Sequence, residues 1–313
     1  MTRLIALTTI ALGMALTPGL VRPSQASECG SIPLQEVASA YGIDAEGLAR
    51  IRQGERVAGR LEAVSDNELA LSIGFLSTHP ADWHLARMDA VETSDPTILE
   101  FGLIEAEGPE AFAALVLPEA EAERLAKATA GSDWNLSSDE LARLSEAAET
   151  APEVRNSALQ QAGREILADR LAAYRQAGLD GLVPFDRGGG DESNPAAQLR
   201  RAKEELRMTR RVAPAVVAAL SDFPKPPPPD VRSRFFWIRH LAQDRAVVAL
   251  SHQVYGVEGD CIAGIDRRYY VSQVLNSLQA AFVGVPTEEG LVVFYANRTG
   301  TDLVTGFGAG LAR

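Results

Sequence analysis

The chain predicts an α+β fold: an antiparallel sheet with a strand–helix–strand start, a central helical insert and a short C-terminal helix. Three observations carry this. The clearest strand-forming stretches, 247–255 and 291–296, lie near the C-terminus and are rich in β-branched and aromatic residues. Residues 119–220 carry charged segments with apolar residues at three- and four-residue intervals. Ahead of them, between 55 and 118, strand-like and helix-like patterns alternate. Boundaries follow at 27–118, 119–223, a proline-rich spacer at 224–230, and 231–313, with the first and last parts sharing one sheet.

The first 26 residues read as a secretory signal peptide. Arg3 precedes an apolar run from Leu4 to Leu20, and Ser24-Gln25-Ala26 places small residues before a cleavage point after Ala26. The alternative is an uncleaved anchor, although Thr8, Thr9, Gly13 and Pro18 interrupt the run, and no later segment is apolar enough to span a bilayer. Removing residues 1–26 takes the basic count from 30 to 28 against 42 acidic residues, a charge of −14. Such a balance disfavours sequence-independent binding to nucleic acid or anionic membranes. Two cysteines, Cys29 and Cys261, permit one disulfide in an exported chain, or stand as two unrelated thiols.

From the mature start, Leu34, Val37, Tyr41, Leu48 and Ile51 recur at helical spacing over 31–52, and Gly54 ends the helix. Residues 55–63 and 67–75 read as strands. Thr78 or His79 can cap a helix over 80–92, with Pro80 at its first position and Asp82 in the first turn. A strand over 97–106 and a shorter one over 112–117 follow. Helices are expected over 119–130, 137–149, 154–177 and 195–220. Gly188-Gly189-Gly190-Asp191 between the last two has neither the Rossmann spacing nor a P-loop lysine, so no nucleotide cofactor is expected. Residues 224–229 (PKPPPP) form a stiff spacer.

The C-terminal part organises the rest. In 247–255, Val248, Leu250, His252 and Val254 share one face, and Ala249, Ser251, Gln253 and Tyr255 the other. Residues 267–284 are long for one strand and are expected to bend, with Tyr270, Ser272, Val274, Asn276, Leu278, Ala280 and Phe282 along one face, like a cavity wall. A turn at 285–290 returns the chain through 291–296, giving an antiparallel hairpin over 267–297. Thr301 or Asp302 then caps a short helix over 302–311.

Two resemblances add to this reading. The segment Ser77-Thr78-His79-Pro80-Ala81-Asp82-Trp83, between a strand and further strands, resembles the opening of helix-grip, START-like lipid-binding domains. That resemblance implies a curved sheet gripping a lipid, although the helical insert departs from a simple helix-grip domain. The mature chain is also similar to a set of uncharacterised exported bacterial proteins. The matching residues are Ser251-His252-Gln253-Val254-Tyr255, Tyr269-Tyr270, Asn297-Arg298-Thr299 and Gly306-Phe307-Gly308. This second resemblance implies export and no particular activity.

Candidate chemistry is sparse. His79, Asp82 and His84 diverge around a helix start, so no metal site is read there, and a capping role suits Asp82 better. His240 or His252, with Asp260 or Asp266, could form an acid–base pair. Ser251 and His252 are adjacent in a strand, point oppositely and cannot pair. Tyr255, Tyr270, Gln273, Asn276 and Tyr295 are the expected binding wall, with Arg298 to clamp an anionic group. The leading expectation is non-catalytic binding of an apolar or amphipathic, lipid-like small molecule. The alternatives are an exported hydrolase using His252 or His240 with a carboxylate, and an envelope protein that docks a protein partner on its acidic helices.

Overall fold

A computed structural model describes residues 27–89, 96–243 and 245–304. The expected signal peptide lies outside these residues, as do the Gly306-Phe307-Gly308 tail and most of the expected terminal helix. The fold is α+β.

The elements run in this order: helices α1 (Leu34–Ala40) and α2 (Ala45–Arg52), strands β1 (Val57–Gly59) and β2 (Glu68–Ser77), helix α3 (Ala81–Asp89) and strand β3 (Ile98–Leu103). Helices α4 (Glu119–Leu125), α5 (Ser138–Ala148) and α6 (Pro152–Ala177) follow, then a small ladder of β4 (Phe185–Asp186) and β5 (Glu192–Ser193). Helices α7 (Pro195–Glu204), α8 (Arg207–Val212) and α9 (Pro214–Ser221) lead into β6 (Val231–Ala242), β7 (Arg245–Glu258), β8 (Cys261–Val271), β9 (Ser277–Thr287) and β10 (Gly290–Gly300).

The main sheet has the order β1-β2-β10-β9-β8-β7-β6-β3, and its pairings are antiparallel. β6 to β10 form a meander. β2 pairs with β10 on one side and β3 with β6 on the other, so the β2–α3–β3 connection must carry the chain across the meander. A disulfide joins Cys29 to Cys261, tying the start of the described chain to the β7–β8 turn.

The sheet has two unlike faces. One packs on helices: Val254, Ile265, Val283, Val292 and Phe294 meet α1, α2, α8 and α9. On the same face Trp237, Leu250, Tyr269 and Tyr270 meet α6 and α7. Tyr269 and Tyr270 are consecutive yet both point there, because a bulge opposite Leu250 and Ser251 inserts one extra residue in β8. The outer helices α4, α5 and α6 share a smaller core around Leu125, Leu144, Leu159 and Ile166. There Glu140 closes the first turn of α5 by accepting from the Ser137 N–H, and it pairs with buried Arg170 of α6 at 2.6 Å.

Several sequence expectations change. The long strand over 267–284 is two strands, β8 and β9, that reverse at 272–276, so 267–297 is a three-stranded meander and the shared row through Ser272, Val274 and Asn276 does not form. The reversal is built by tertiary contacts: the Asn135 side chain donates to the carbonyls of Val271 and Leu275, and Thr301 Oγ1 donates to that of Val274, whose φ is +71°. The helix over 31–52 breaks at Gly42, which takes φ +69°, and Asp44 caps α2. The helix over 195–220 becomes three: it breaks at 205–206, and again at Ala213, which Pro214 forces out of the helical region. Residues 112–117 hold no strand, and of the terminal helix the described part is a single 3₁₀ turn, Asp302–Val304. β6 is a full strand that sequence reading did not assign.

Candidate functional site: a groove beneath helix α3

The second sheet face carries the site. Alternation places Arg234, Phe236 and Ile238 of β6 on it, with Gln253 of β7, Asp266 and Arg268 of β8, Phe282 of β9, Val293 and Tyr295 of β10, and Ile73 and Phe75 of β2. α3 crosses this face as a strap. Its start is tied by His84 Nε2, 2.8 Å from Ser77 Oγ. Its end is tied by Asp89, which accepts from the Tyr255 hydroxyl at 2.5 Å and pairs with Arg232.

Between these ties α3 buries none of its residues, although Ala81 and Leu85 rest on Ile262, Leu291 and Val293. Trp83 stays 37% exposed, with His79 stacked on its ring at 3.9 Å and the Arg87 guanidinium 4.8 Å from it. Strap and sheet enclose a groove of roughly 430 Å³. Its walls are Trp83, Met88, Phe101, Phe282 and the apolar residues named above. Gly264, on the same face, leaves room for the Phe282 ring, which a Cβ there would strike.

A polar strip crosses the apolar floor. Arg234 donates from Nε and Nη2 to Gln253 Oε1 at 2.9 and 2.6 Å, and from Nη1 to the Asp89 carbonyl at 3.3 Å. Burial pulls the Arg234 pKa below its ordinary value. Asp266 accepts from Ser251 through Oδ1, while its Oδ2 lies 3.7 Å from Arg268 Nε. Arg268 Nη1 lies 3.4 Å from His240 Nε2. Among the described residues no group of His, Cys, Asp and Glu could hold a metal ion.

The expected site residues divide. Tyr295 lines the groove and Tyr255 anchors the strap. Tyr270 does not reach the groove: it is buried under α6 with Arg170 4.4 Å above its ring, and burial raises its pKa well above the ordinary phenol value. Gln273 and Asn276 brace the β8–β9 turn. Gln273 accepts from Arg124 and donates to the Ala246 carbonyl; Asn276 accepts from Arg187 and donates to Asp302. Arg298 lies on the helical face, paired with Glu68 at 2.9 Å and Glu205 at 3.3 Å. His240 and His252 end up on opposite faces.

His252 is fully buried in a network of its own. Arg267 can only donate, so Tyr174 Oη accepts from it at 3.4 Å and passes its own proton toward His252 Nδ1, 3.1 Å away. Nε2 then carries the hydrogen and donates to Ser233 Oγ at 2.9 Å. Burial first, then the charges of Arg267 and Arg175, push the His252 pKa down to about 3. A neutral imidazole that donates to a serine leaves that serine without a base. Arg234 and Arg268 were missed by sequence reading. Their one signal was a charged side chain at an alternate position within an otherwise strand-forming run. Comparison with family models, with curated proteins and with solved structures found no match.

Proposed function

We propose that the protein binds an apolar or amphipathic small molecule in the groove beneath α3, without catalysis, and works outside the cytoplasm. One observation carries the reading: a helix tied down at both ends spans an apolar sheet face and buries none of its own residues against it. An apolar surface of that kind costs free energy when wet, and a concave one with a few polar groups suits a ligand. The resemblance of residues 77–83 to helix-grip domains points the same way. Export is supported by the leader-like residues 1–26 and by the Cys29–Cys261 disulfide, which suits an oxidising compartment. Among the described residues, no helix is long and apolar enough to cross a membrane.

Native mass spectrometry of the protein taken from its own cell envelope, followed by solvent extraction, tests the reading. A discrete adduct of lipid-like mass is expected. A clean apo mass, with no binding across a lipid panel, removes it. The hydrolase alternative would use His252 or His240 with a carboxylate. It gains ground only if an esterase screen finds activity that His252→Gln abolishes while the fold is retained.

A further inference from the structure

We infer that the groove's ligand is a single-chain amphiphile with an anionic head, a carboxylate or a phosphate, and that Arg234 and Arg268 hold that head. The inference rests on the groove reading above and adds the chemical class of the ligand.

The chain as a whole is acidic, with a net charge of −12, yet the floor of the groove sets Arg234 and Arg268 against Asp266 alone. Among the described residues Arg234 meets only neutral acceptors, the Gln253 amide oxygen and the Asp89 carbonyl. The Asp89 carboxylate is taken by Arg232 and Tyr255. Among the described residues Arg268 has one carboxylate near it, Asp266 at 3.7 Å, and that group is also engaged by Ser251; among the same residues buried Arg268 Nε has no hydrogen-bond acceptor. One guanidinium with neutral acceptors alone and a second with a single, shared carboxylate, next to apolar surface, leave positive charge that an anion in the groove would complement. Their planar forks match carboxylate and phosphate oxygens.

The rest of the groove describes the tail. From the polar strip the floor runs over Phe282, Tyr295, Ile73, Val293 and Phe75, under Trp83, with no further charge on the sheet side. A volume of roughly 430 Å³ lies toward the small end of the range for small-molecule sites, which fits one chain better than two. Asp266 beside the arginines reduces what a second negative charge on the head would gain.

The test is calorimetric titration of the full chain with dodecanoate, dodecyl phosphate and dodecan-1-ol. At least one anion is expected to bind about tenfold or more tighter than the alcohol, as charged hydrogen bonds warrant. Arg234→Gln and Arg268→Gln should each remove most of that advantage, read as the ratio of anion to alcohol affinity within the same variant. Asp266→Asn should raise the affinity for the anions, which loss of structure alone would not do. Equal affinity for alcohol and anions overturns the anionic head while the groove reading stands; no binding of any of the three takes the groove reading with it. The comparison of ligands on the unaltered chain decides the matter even if an arginine variant fails to fold.

Discussion

The two faces of the sheet are built from the same strands and differ in what covers them. On the helical face apolar side chains interlock with α1, α2 and α6 to α9, and buried charges are closed off: Arg298 lies between Glu68 and Glu205, and Arg170 of the outer helices pairs with Glu140. Arg267 is buried there without a carboxylate, but Gln279, Tyr174 and the Leu220 carbonyl accept its hydrogens. On the strapped face only Ala81 and Leu85 of α3 rest on the sheet, and of the floor's arginines Arg234 stands among neutral acceptors while Arg268 has the shared Asp266 carboxylate. The first arrangement is a sealed core that supplies stability. The second leaves surface that a ligand can complete. Alternation along a strand produces both at once, so residues one position apart serve different ends: Arg267 in the core, Arg268 at the groove.

Truncation should separate the faces most sharply. Phe294 is fully buried on the helical side, so Phe294→Ala should cost about 3–5 kcal/mol in urea unfolding. Phe282→Ala, on the half-covered groove side, should cost about 1–2 kcal/mol and weaken ligand binding instead. Equal losses at the two sites would erase the distinction between the faces.

Next in size is the Cys29–Cys261 disulfide, which spans 232 residues of chain beneath the helical face. Reduction, or the double change to Ser, should lower stability by about 2–4 kcal/mol, read as a shift in the urea midpoint with unchanged ligand affinity.

The buried His252 network gives the helical face a pH dependence. Below its ordinary pKa of 6.5 the unfolded chain takes up a proton that folded His252 refuses until about pH 3. Stability contributed by neutral His252 is therefore whole above pH 6.5 and is lost as the pH falls through that window, by up to about 1.4 kcal/mol per pH unit. Urea midpoints between pH 7 and pH 4 should fall less steeply for His252→Gln than for the unaltered chain. Identical slopes would show that His252 is reached by solvent in the folded state.

The smallest effect on stability belongs to the strap. Asp89 and Arg232 are substantially exposed, so Asp89→Asn should cost less than about 1 kcal/mol. Its mark should be dynamic: faster hydrogen exchange in α3 and faster ligand release, with the exchange of β7 and β8 unaltered. Unchanged exchange in α3 would mean that Tyr255 and Arg232 do not hold the strap down.

Much of the architecture was readable in advance. The helical middle announced itself through the period of its apolar residues; the structure adds the Ser137–Glu140 capping box that starts α5 and the Pro152 that opens α6, two residues before the expected start. The strand–helix–strand start at 67–103 follows from Pro80 and Asp82 between two β-rich runs. The candidate site was far less legible. Tyr255 and Tyr295 reach the strapped side, whereas Tyr270, Gln273, Asn276 and Arg298 do not. A bulge in β8 shifts the phase of alternation at Tyr269, and a turn held by Asn135 and Thr301 replaces the continuous strand on which that row depended.

Sequence alone therefore determined the α+β class, the leader-like start, the helical insert, the two cysteines and a strand-rich C-terminal part. Those features rest on local periodicity, capping and composition, which neighbouring residues settle among themselves. Tertiary structure alone decided that Cys29 meets Cys261, that β2 and β3 flank the meander, and which face of each strand lies under helices and which under α3. Both faces of β6 and β7 carry apolar residues, so alternation marks two sides without saying what will cover either. The groove's Arg234, Gln253, Asp266 and Arg268 come from three strands. They became neighbours only through the registers of β6 with β7 and of β7 with β8, which long-range pairing sets and no local pattern encodes.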